Sequence, residues 1–515
     1  MRPAPRVTIL MTLRERRAYT EPALDTLRKN TPLPHRLVYA DVQSSPERRA
    51  ALRARADRGE LELVCFDEPL WPNQVRQRLV PEFDTDYVVL IDNDVTVHPG
   101  WLEALVNCAD ETGAAIVAPL YLWGEDPKAP RVHMAGGTLE RSAGPEGGTL
   151  VDGHRLMDAP LDKVEAQLRR ERCGYAEYHC MLVRRDLAQD PEFFDANIVC
   201  VHEHIHASLL AEARGGETWF EPTSRVAYRG HAPYRLEDLP TFRQRWAREA
   251  GEASIRAFAR RWNIADDERS FGPVRFFLSR HVANVDPLRP GLARDGTARM
   301  AAQDLRHDTE GLLELARMRG YGTPALNELD GACAYARQRF AGLRRPCGRP
   351  FFEHLAGTAS VMLFYGLRIV DVTAALLHSL YSHPRPGEPA ASPAVQQAIG
   401  GPGSALESRV REYTLRHRLW RRLARTPVAE LKVSDAEIVL IAVANEIEMH
   451  LSGEMARSGR PMEIEESLRP AAAEVCGWLG LPALGAMLRE LPVSARPSGQ
   501  GPAQSYWEPA APGAS

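Results

Sequence analysis

The sequence lacks any apolar run close to the roughly 20 consecutive residues that a membrane-spanning helix needs. It also lacks the long apolar region and cleavage site of a signal peptide, because the first apolar run, Val7–Met11, has only the length of a strand. Its eight cysteines are scattered and include no Cys-x-x-Cys pair, which disfavours a disulfide framework or a structural zinc site. We therefore expect a cytoplasmic protein with no transmembrane segment.

A strong charge of either sign is also missing. The 64 basic and 68 acidic residues leave a formal net charge of −4 at pH 7. This balance gives no general attraction to nucleic acid or to an anionic membrane, so we expect no nucleic-acid partner. Because domains usually contain about 100–200 residues, a chain of 515 residues is expected to form at least two.

The first hundred residues alternate short β-rich apolar runs with stretches that suit helices. Strands are predicted at 7–11, 37–40, 61–66 and 87–91, with helices between them at 21–29, 46–56 and about 72–80. Runs such as Val88-Val89-Leu90-Ile91 lack apolar–polar alternation, which is typical of strands buried on both faces. The pattern predicts an α/β fold with a mostly parallel sheet flanked by helices.

Composition and periodicity divide the chain into four parts. Residues 1–264 are predicted to form the α/β domain, and 265–299, with several Pro and Gly and no sustained periodicity, a linker. Helical patterns dominate 300–492, where capping boxes predict helix starts at Ser404 and Ser434, so this part is expected to be all-helical. Residues 493–515 are mostly Pro, Ala, Gly and Ser and are predicted to be disordered, because they cannot bury enough apolar surface.

Acidic residues follow two of the predicted strands. Asp41 ends the second, and Asp92-Asn93-Asp94 ends the fourth. Open parallel sheets bind ligands at these strand ends, and carboxylates there suit a hard divalent cation that bridges the protein to substrate phosphates. The alternative is a simple turn, since Asp and Asn are common turn residues.

Residues 6–262 resemble the large family two of glycosyltransferases, which have the GT-A fold. The resemblance rests on the opening Val-Thr-Ile-Leu-Met-Thr12, on Leu-Val-Tyr-Ala-Asp41, and on Asp92-Asn-Asp94 with its continuation Val-Thr-Val-His-Pro-Gly-Trp-Leu. It implies inverting transfer of a sugar, hexosyltransferase-like, from a nucleoside diphosphate sugar. Thr12, Asp41, Asp92 and Asn93 would bind this donor. Asp92, Asp94 and His231, which follows the acceptor region, would ligate Mn²⁺ or Mg²⁺.

The acceptor side of the resemblance is carried by shorter segments. Gly137, Glu177 and His179 match the stretch where backbone and a carboxylate approach the sugar. The acceptor itself, whether small molecule, glycan or protein, is not indicated. A helix is predicted over Glu203–Ala213, and Val-His-Glu203-His-Ile-His at its start stands where the family often has Glu-Asp-x-Asp, the motif that supplies the catalytic base. Glu203 is therefore expected to be the base, with His204 as its rival. The alternative for Glu203 is a carboxylate that is favoured at a helix N-terminus by the helix dipole.

The second half resembles the HD superfamily of helical metal-dependent phosphohydrolases, in which a His on one helix and a His-Asp pair on another bind the metal. His354 and His378 match, but Ser379 stands at the Asp position. A hydroxyl is a far poorer ligand than a carboxylate for a hard cation, so no hydrolysis is expected. The pattern is closer to an uncharacterised HD-like family that carries Ser at this position. The alternative is that both histidines are core residues that bond to each other or to backbone.

Three functions follow from these observations. A metal-assisted glycosyltransferase is the leading hypothesis, because Asp92 and Asp94 are both present. The alternatives are an HD-type phosphohydrolase in the second half, which the loss of the Asp disfavours, and a non-catalytic protein that binds sugar or nucleotide. The replacement of the family's Asp residues by His around Glu203 is the best argument for this last alternative.

Overall fold

A ten-stranded mixed sheet lies at the centre of the N-terminal part of the protein. The computed structural model describes residues 5–124, 126–145, 147–288, 296–458, 462–492 and 505–507. The chain divides into two compact units, Met1–Tyr234 with Pro240–His281 and Arg235–Leu239 with Val282–Ser515. None of the described helices is long and apolar enough to cross a membrane.

The described strands are ten in the main sheet, the hairpin β8–β9 and the pair β13–β14. They are β1 (Val7–Thr12), β2 (His35–Val42), β3 (Glu62–Phe66), β4 (Tyr87–Asp92), β5 (Val95–Val97), β6 (Ile116–Trp123), β7 (Val132–Met134), β8 (Gly137–Ser142), β9 (Thr149–His154), β10 (Glu171–Arg172), β11 (Cys180–Arg184), β12 (Thr218–Tyr228), β13 (Leu343–Arg344) and β14 (Tyr506–Trp507).

Twenty-one α-helices are described along the chain, in both units. They are α1 (Thr20–Asn30), α2 (Pro46–Asp57), α3 (Pro72–Leu79), α4 (Trp101–Thr112), α5 (Leu161–Val164), α6 (Arg185–Ala188), α7 (Glu203–Ala213), α8 (Leu239–Arg245), α9 (Arg248–Trp262), α10 (Glu268–Val285), α11 (Thr309–Met318), α12 (Thr323–Arg339), α13 (Phe351–Phe364), α14 (Ile369–Leu376), α15 (Pro393–Ala398), α16 (Ala405–Thr414), α17 (His417–Leu423), α18 (Val433–Leu451), α19 (Glu454–Ser458), α20 (Arg469–Trp478) and α21 (Pro482–Glu490).

The first four strands lie in the order β3-β2-β1-β4 and all pair in parallel. The prediction from alternating strand and helix patterns is confirmed here. Strands β1 and β4 are buried at every position, as their unbroken apolar runs indicated. Their carboxyl ends meet at one edge of the sheet, which is where parallel sheets bind ligands.

The second half of the sheet makes it mixed. Strand β11 pairs antiparallel with both β4 and β6, whereas β12 runs parallel to β6 and antiparallel to β5 and β10. The antiparallel register of β11 has a direct consequence for the ligand edge. Cys180 pairs with Ile91, so His179 lies opposite Asp92, whose backbone N–H donates to His179 O at 3.2 Å.

The predicted linker 265–299 is not irregular over most of its described length, because α10 occupies Glu268–Val285. The expectation relied on the Pro and Gly content of this segment, and Pro273 does lie inside the helix. Burial of Phe271 and Leu278 accompanies the helix in spite of that proline. Tertiary packing therefore overrides the local signal. Residues 289–295 of this segment lie outside the described residues.

Two other expectations in the C-terminal half need correction. Helix α18 begins at Val433 with Lys432 at the N-cap, so Ser434 lies inside the first turn, whereas Ser404 does cap α16 by accepting from Glu407 N at 3.2 Å. In the tail that was predicted to be disordered, β14 pairs antiparallel with β13. Residues 493–504 and 508–515 of that tail lie outside the described residues.

The second unit is helical, as predicted, apart from the short pair β13–β14 among its described residues. Helix α18 is its centre: most of its residues are buried, and it packs against α13 and α14. The predicted fold class, an α/β part followed by a helical part, is therefore confirmed.

Candidate active site

Thr12 and the two acidic positions lie at the ligand edge of the sheet. Thr12 pairs with Asp92 on one side and with Ala40 on the other, so Asp41 follows one residue beyond that level. Thr12, Asp41 and Asp92 are all fully buried. The predicted donor-binding residues are thus brought together by three neighbouring parallel strands.

Asn93 fixes the loop that follows β1. Its Oδ1 accepts from Arg14 N at 2.8 Å, and its Nδ2 donates to Glu15 O at 3.0 Å and to Thr20 Oγ1 at 3.2 Å. Both ends of the amide are therefore occupied by protein groups. The role of Asn93 in this structure is to direct the arginines of that loop toward the carboxylates, and direct donor binding by its side chain stays a prediction.

Asp92 is fully compensated by cationic and polar neighbours. Its Oδ2 accepts from Arg14 Nη1 at 2.6 Å and lies 3.0 Å from His179 Nδ1, while its Oδ1 lies 3.4 Å from Arg76 Nη2. Burial alone would raise the pKa of Asp92, but these neighbours hold it at about 2. Asp92 is therefore ionised, and both its oxygens already have protein partners.

Asp94 is compensated only on one oxygen. Its Oδ2 accepts from Arg16 Nη1 at 3.2 Å, while its Oδ1 is buried without a hydrogen-bond partner. Burial raises the pKa of Asp94 above its ordinary value despite Arg16. An unpartnered buried carboxylate oxygen is unfavourable unless a cation approaches it. The residues present therefore fit a hard divalent cation at Asp94 better than at Asp92.

His231 is placed near Asp94 by its loop but not by its ring. Arg229 N donates to Asp94 O at 3.1 Å, and Arg16 donates to Gly230 O at 2.5 Å, so the loop lies over the acidic motif. The His231 ring, however, lies against Trp123, with ring centroids 4.1 Å apart. Two groups of candidate ligand atoms within 4.8 Å of one another occur among the described residues, and His231 belongs to neither. Metal ligation by His231 stays a prediction.

Glu177 is surrounded by imidazoles. The nitrogen Nε2 of His133 lies 2.8 Å from Glu177 Oε2, that of His179 lies 3.5 Å from the same oxygen, and that of His154 lies 3.3 Å from Oε1. Burial would raise the pKa of Glu177, but the three histidines hold it well below its ordinary value. Two predicted acceptor-side residues, Glu177 and His179, are thus part of one buried polar cluster.

Gly137 lies at the end of that cluster and is required by packing. Its N–H donates to Tyr175 O at 3.1 Å, and a Cβ at this position would lie 2.3 Å from the Tyr175 ring. Tyr175 is fully buried, and its hydroxyl has no hydrogen-bond partner. The glycine therefore lets the aromatic ring pack on the backbone beside Glu177.

Glu203 and His204 begin α7 as predicted, and their protonation differs. Burial raises the pKa of Glu203, whose Oε1 lies 3.8 Å from Arg245 Nη2. Burial lowers the pKa of His204 to about 3. A base works best when its pKa is near the working pH, so the shift favours Glu203 and weakens His204. The neighbouring His202 packs on Phe258, with ring centroids 4.9 Å apart, which indicates a core role.

Several charged residues of the site were missed by sequence reasoning. Buried Glu15 accepts from Trp246 Nε1 at 2.8 Å, and burial raises its pKa to about 7. Arg14, Glu15 and Arg16 lie in the loop that follows β1, so the strand-end argument that found Asp41 and Asp92 applies to them too. His133 and His154 have no comparable local signal, because their segments read as loops with short strands.

Asp41 adjoins a cleft in the first unit. Its Oδ2 accepts from Arg49 Nε at 2.9 Å, and its Oδ1 is buried without a partner. The cleft is lined by Leu13, Arg14, Val42, Gln43, Leu70, Trp71, Pro72, Thr241, Gln244 and Arg245. Arg14 belongs both to this cleft and to the partners of Asp92. The cleft therefore connects the end of β2 with the acidic motif.

The HD-like residues of the second unit lie close together but are engaged by protein groups. The rings of His354 and His378 have centroids 5.4 Å apart. His354 Nδ1 lies 2.6 Å from Glu448 Oε2, and His378 Nδ1 lies 2.7 Å from Ala375 O. Ser379 is buried beside His378. The carboxylate that meets His354 is thus Glu448 of α18, and the resemblance to the HD superfamily stays a prediction.

Charge balance argues against a metal ion beside His354. Glu448 and Glu454 form, with His354, one of the two groups of candidate ligand atoms. Arg349 Nη2 lies 2.7 Å from Glu448 and 2.9 Å from Glu454, and Arg345 Nη2 lies 2.5 Å from Glu454. Two carboxylates therefore face two guanidinium groups. Paired buried charges of this kind do not need an ion.

A buried carboxyl of α18 predicts a pH-dependent stability. Burial, together with the charge of Glu463, raises the pKa of Glu446 to about 8. The folded protein thus keeps a proton that the unfolded chain loses at its ordinary pKa. The free energy of unfolding therefore falls as the pH rises from the ordinary glutamate pKa to about 8, at about 1.4 kcal/mol per unit.

We expect Glu446→Gln to remove this loss, because an amide oxygen can still accept from Ile464 N. Thermal unfolding followed at several pH values should show the variant more stable than the parent at pH 8 and similar to it near pH 5. Parallel stability curves for the two proteins would show that Glu446 ionises normally.

Comparison with known proteins bears on the first unit. Residues 8–190 match the sequence profile of glycosyl transferase family 2. A crystal structure of GalNAc-T7 with UDP, GalNAc and Mn2+ aligns with a TM-score of 0.35 and 14% identity, covering 57% of this chain and 60% of that one. A likeness this distant carries no information about donor, acceptor or metal. No curated protein matches the sequence. Residues 8–190 are thus similar to a family 2 glycosyltransferase domain, and the predicted enzyme class, a glycosyltransferase, is confirmed.

Proposed function

We propose that this family 2 glycosyltransferase domain transfers a sugar from a nucleoside diphosphate sugar to an acceptor hydroxyl, with a divalent metal and with inversion at the anomeric carbon. The observation that carries the proposal is Asp94, whose buried Oδ1 has no partner at the ligand edge of the parallel strands. A cation at this oxygen would complete a site that already contains Arg14 and Arg16.

The donor is proposed to lie along the cleft beside Asp41. Trp71 lines this cleft and would supply an aromatic ring for a nucleobase, while Asp41, which precedes Val42 of the lining, has an unpartnered Oδ1. The diphosphate would then lie near Arg14, which lines the same cleft and bonds Asp92. The guanidinium groups supply part of the positive charge that a diphosphate requires.

The metal is proposed to be Mn²⁺ or Mg²⁺, held by Asp94. Hard oxygen ligands suit these ions, which commonly bind through one or two carboxylates together with substrate phosphates. Such an ion neutralises the charge that builds on the departing diphosphate. Asp92 contributes by fixing Arg14 and His179, since its own oxygens are saturated.

Glu203 is proposed to be the general base. The acceptor O–H bond breaks and its proton passes to a Glu203 carboxylate oxygen, while the acceptor oxygen forms a bond to the anomeric carbon. The bond between that carbon and the diphosphate oxygen breaks, and its electron pair leaves with the diphosphate. Attack opposite to the leaving group inverts the configuration. Buried Glu203 has its Oε1 3.8 Å from Nη2 of Arg245, a residue that lines the cleft proposed to hold the donor, and this contact supports the assignment.

The phosphohydrolase alternative gains no support among the described residues of 300–492. Ser379 still stands where the metal carboxylate is required, and the carboxylates near His354 are neutralised by Arg345 and Arg349. The non-catalytic alternative is disfavoured by the presence of both Asp92 and Asp94, which are buried at the ligand edge of the parallel strands.

A thermal-shift screen with donor turnover tests the proposed function. We expect nucleoside diphosphates to raise the unfolding temperature more in the presence of Mn²⁺ than in its absence. Binding at a hundredfold excess over Kd stabilises by about 2.7 kcal/mol. The matching diphosphate sugar should then be consumed with release of the diphosphate.

Nucleosides without phosphate serve as the control, because they cannot engage the metal. If no diphosphate stabilises the protein under either condition, the domain does not use a nucleoside diphosphate donor.

A further inference from the structure

A cluster of imidazoles lies beside the acidic motif, and the proposed transfer uses none of them as a metal ligand or as the base. His133 comes from β7, His154 from the end of β9, and Glu177 and His179 from the turn before β11. His133, Glu177 and His179 are each at most 8% exposed. Three Nε2 atoms thus converge on one buried carboxylate from separate parts of the chain.

The spacing of three of these residues suits a single metal ion. Ligand atoms of His133, Glu177 and His179 all lie within 4.8 Å of one another. Ligands of a tetrahedral ion at about 2.1 Å lie about 3.4 Å apart, and two such imidazoles have ring centres about 5 Å apart. His179 Nε2 is 3.5 Å from Glu177 Oε2, and the His133 and His179 ring centroids are 5.5 Å apart. The distance between His133 Nε2 and Glu177 Oε2, which is 2.8 Å, would increase by about half an ångström when an ion binds.

Neighbouring groups hold His179 in the orientation of a metal ligand. Its Nδ1 lies 3.0 Å from Asp92 Oδ2 and 3.1 Å from Arg14 Nη1, and in the tautomer in which Nδ1 donates to Asp92 the Nε2 lone pair is directed at the cluster. Tyr228 stacks on the same ring at 3.7 Å. A carboxylate that fixes the far nitrogen of a histidine is the usual second partner of a metal-bound imidazole.

We propose that His133, Glu177 and His179 bind one divalent ion of the zinc class, at a site distinct from Asp94. Two imidazoles and one carboxylate form a nitrogen-rich set that favours Zn²⁺, Co²⁺ or a similar transition ion over Mg²⁺ or Mn²⁺. Three protein ligands leave a position for water or for His154, which lies at the more exposed side of the cluster. The proposal does not depend on the transferase activity.

Cobalt titration of the full-length protein, first freed of metal by a chelator, tests the site. We expect one Co²⁺ to bind with the intense visible absorption of a four-coordinate ion and without a sulfur-to-metal charge-transfer band. One equivalent of Zn²⁺ should abolish the spectrum, and a large excess of Mg²⁺ should not. Absence of a four-coordinate spectrum in the parent protein would overturn the proposal.

Variants locate the ion. His133→Ala and His179→Ala should each weaken Co²⁺ binding by about tenfold or more, since even loss of an outer partner costs about 10–100-fold. His98→Ala is the matched control, because His98 is exposed and lies outside both groups of candidate ligands. Glu177→Gln, which keeps the shape of the side chain, should also weaken binding and provides a test if an alanine variant fails to fold.

Two further variants exclude the competing sites. Asp94→Asn and His354→Ala should both leave the cobalt spectrum unchanged. If His354→Ala removes the spectrum and His133→Ala does not, the ion lies in the second unit and the proposal is wrong. If Asp94→Asn removes it, the ion lies at the proposed transfer site. Failure of Mn²⁺-dependent diphosphate binding with an intact cobalt spectrum would instead contradict only the proposed function.

Discussion

Glu203→Gln is expected to lower kcat about 10²–10⁴-fold and to leave nucleoside diphosphate affinity unchanged, because a positioned base contributes about that much to proton transfer. The amide has nearly the same shape as the carboxylate but cannot take a proton. Glu203 is buried at the start of α7, so the substitution removes the charge without opening a cavity. Steady-state transfer rates and diphosphate titrations on the same preparations measure the two quantities.

His204→Ala is the matched comparison. Because burial lowers the pKa of His204 to about 3, its imidazole is neutral at pH 7 and a very weak base. Its loss should therefore cost far less than that of Glu203. A large loss of kcat in His204→Ala with a small loss in Glu203→Gln would assign the role of base to the His204 imidazole. Small losses of kcat in both variants would show that the start of α7 does not supply the base.

The pH dependence of activity in the parent protein tests independently whether Glu203 is the base. Burial raises the pKa of Glu203, and the base must be ionised to accept a proton. Activity should therefore fall, as the pH is lowered, at a higher pH than an ordinary glutamate would give. The acid limb should disappear in the residual activity of Glu203→Gln.

Asp94→Asn is expected to abolish the increase in diphosphate affinity that Mn²⁺ provides, and to lower transfer about 10²–10³-fold, since a bound metal supplies several kcal/mol of charge stabilisation. The amide oxygen can still accept from Arg16 Nη1, so the contact of 3.2 Å and the loop that bears it should persist. What disappears is the charged oxygen that has no protein partner. Titration of diphosphate with and without Mn²⁺ measures the effect.

Asp162→Asn is a suitable control, because Asp162 is exposed and pairs only loosely with Lys163 at 3.4 Å. It should behave as the parent protein in every titration. A different result is expected for Asp92→Asn, because Asp92 holds Arg14 and His179 in place. This variant should weaken diphosphate binding both with and without Mn²⁺. If Asp94→Asn binds the metal and diphosphate pair as tightly as the parent, Asp94 does not hold the metal.

The two carboxylates of the acidic motif illustrate how far sequence reasoning reaches. Their position at a strand end was predictable, because the strand itself is a local pattern of apolar residues. Their different protonation was not. Arg14 comes from the loop after β1, and Arg76 from α3, and the sequence does not reveal which oxygen each guanidinium meets.

The errors of prediction also have a common physical origin. Helix α10 forms in spite of Pro273, and β14 forms in a segment that is rich in small residues. In both cases local composition disfavours the element, and contacts with distant residues decide the outcome. Composition reflects only the conformational preference of a segment by itself. It therefore carries no information about a pairing partner such as β13, which lies more than a hundred residues away in sequence.

The sequence by itself determined the parallel direction of the first strands, the acidic edge, the start of α7 at Glu203 and the helical nature of the second half. These features depend on periodicity and spacing over short stretches of chain, which a single sequence contains in full. Only the tertiary structure decided that Asp94 keeps an unpartnered oxygen and that His133 and His154 meet Glu177. Such contacts join segments that are far apart in the chain, and burial then sets their charges, because a carboxylate or imidazole that is removed from water takes its pKa from the neighbours that packing provides.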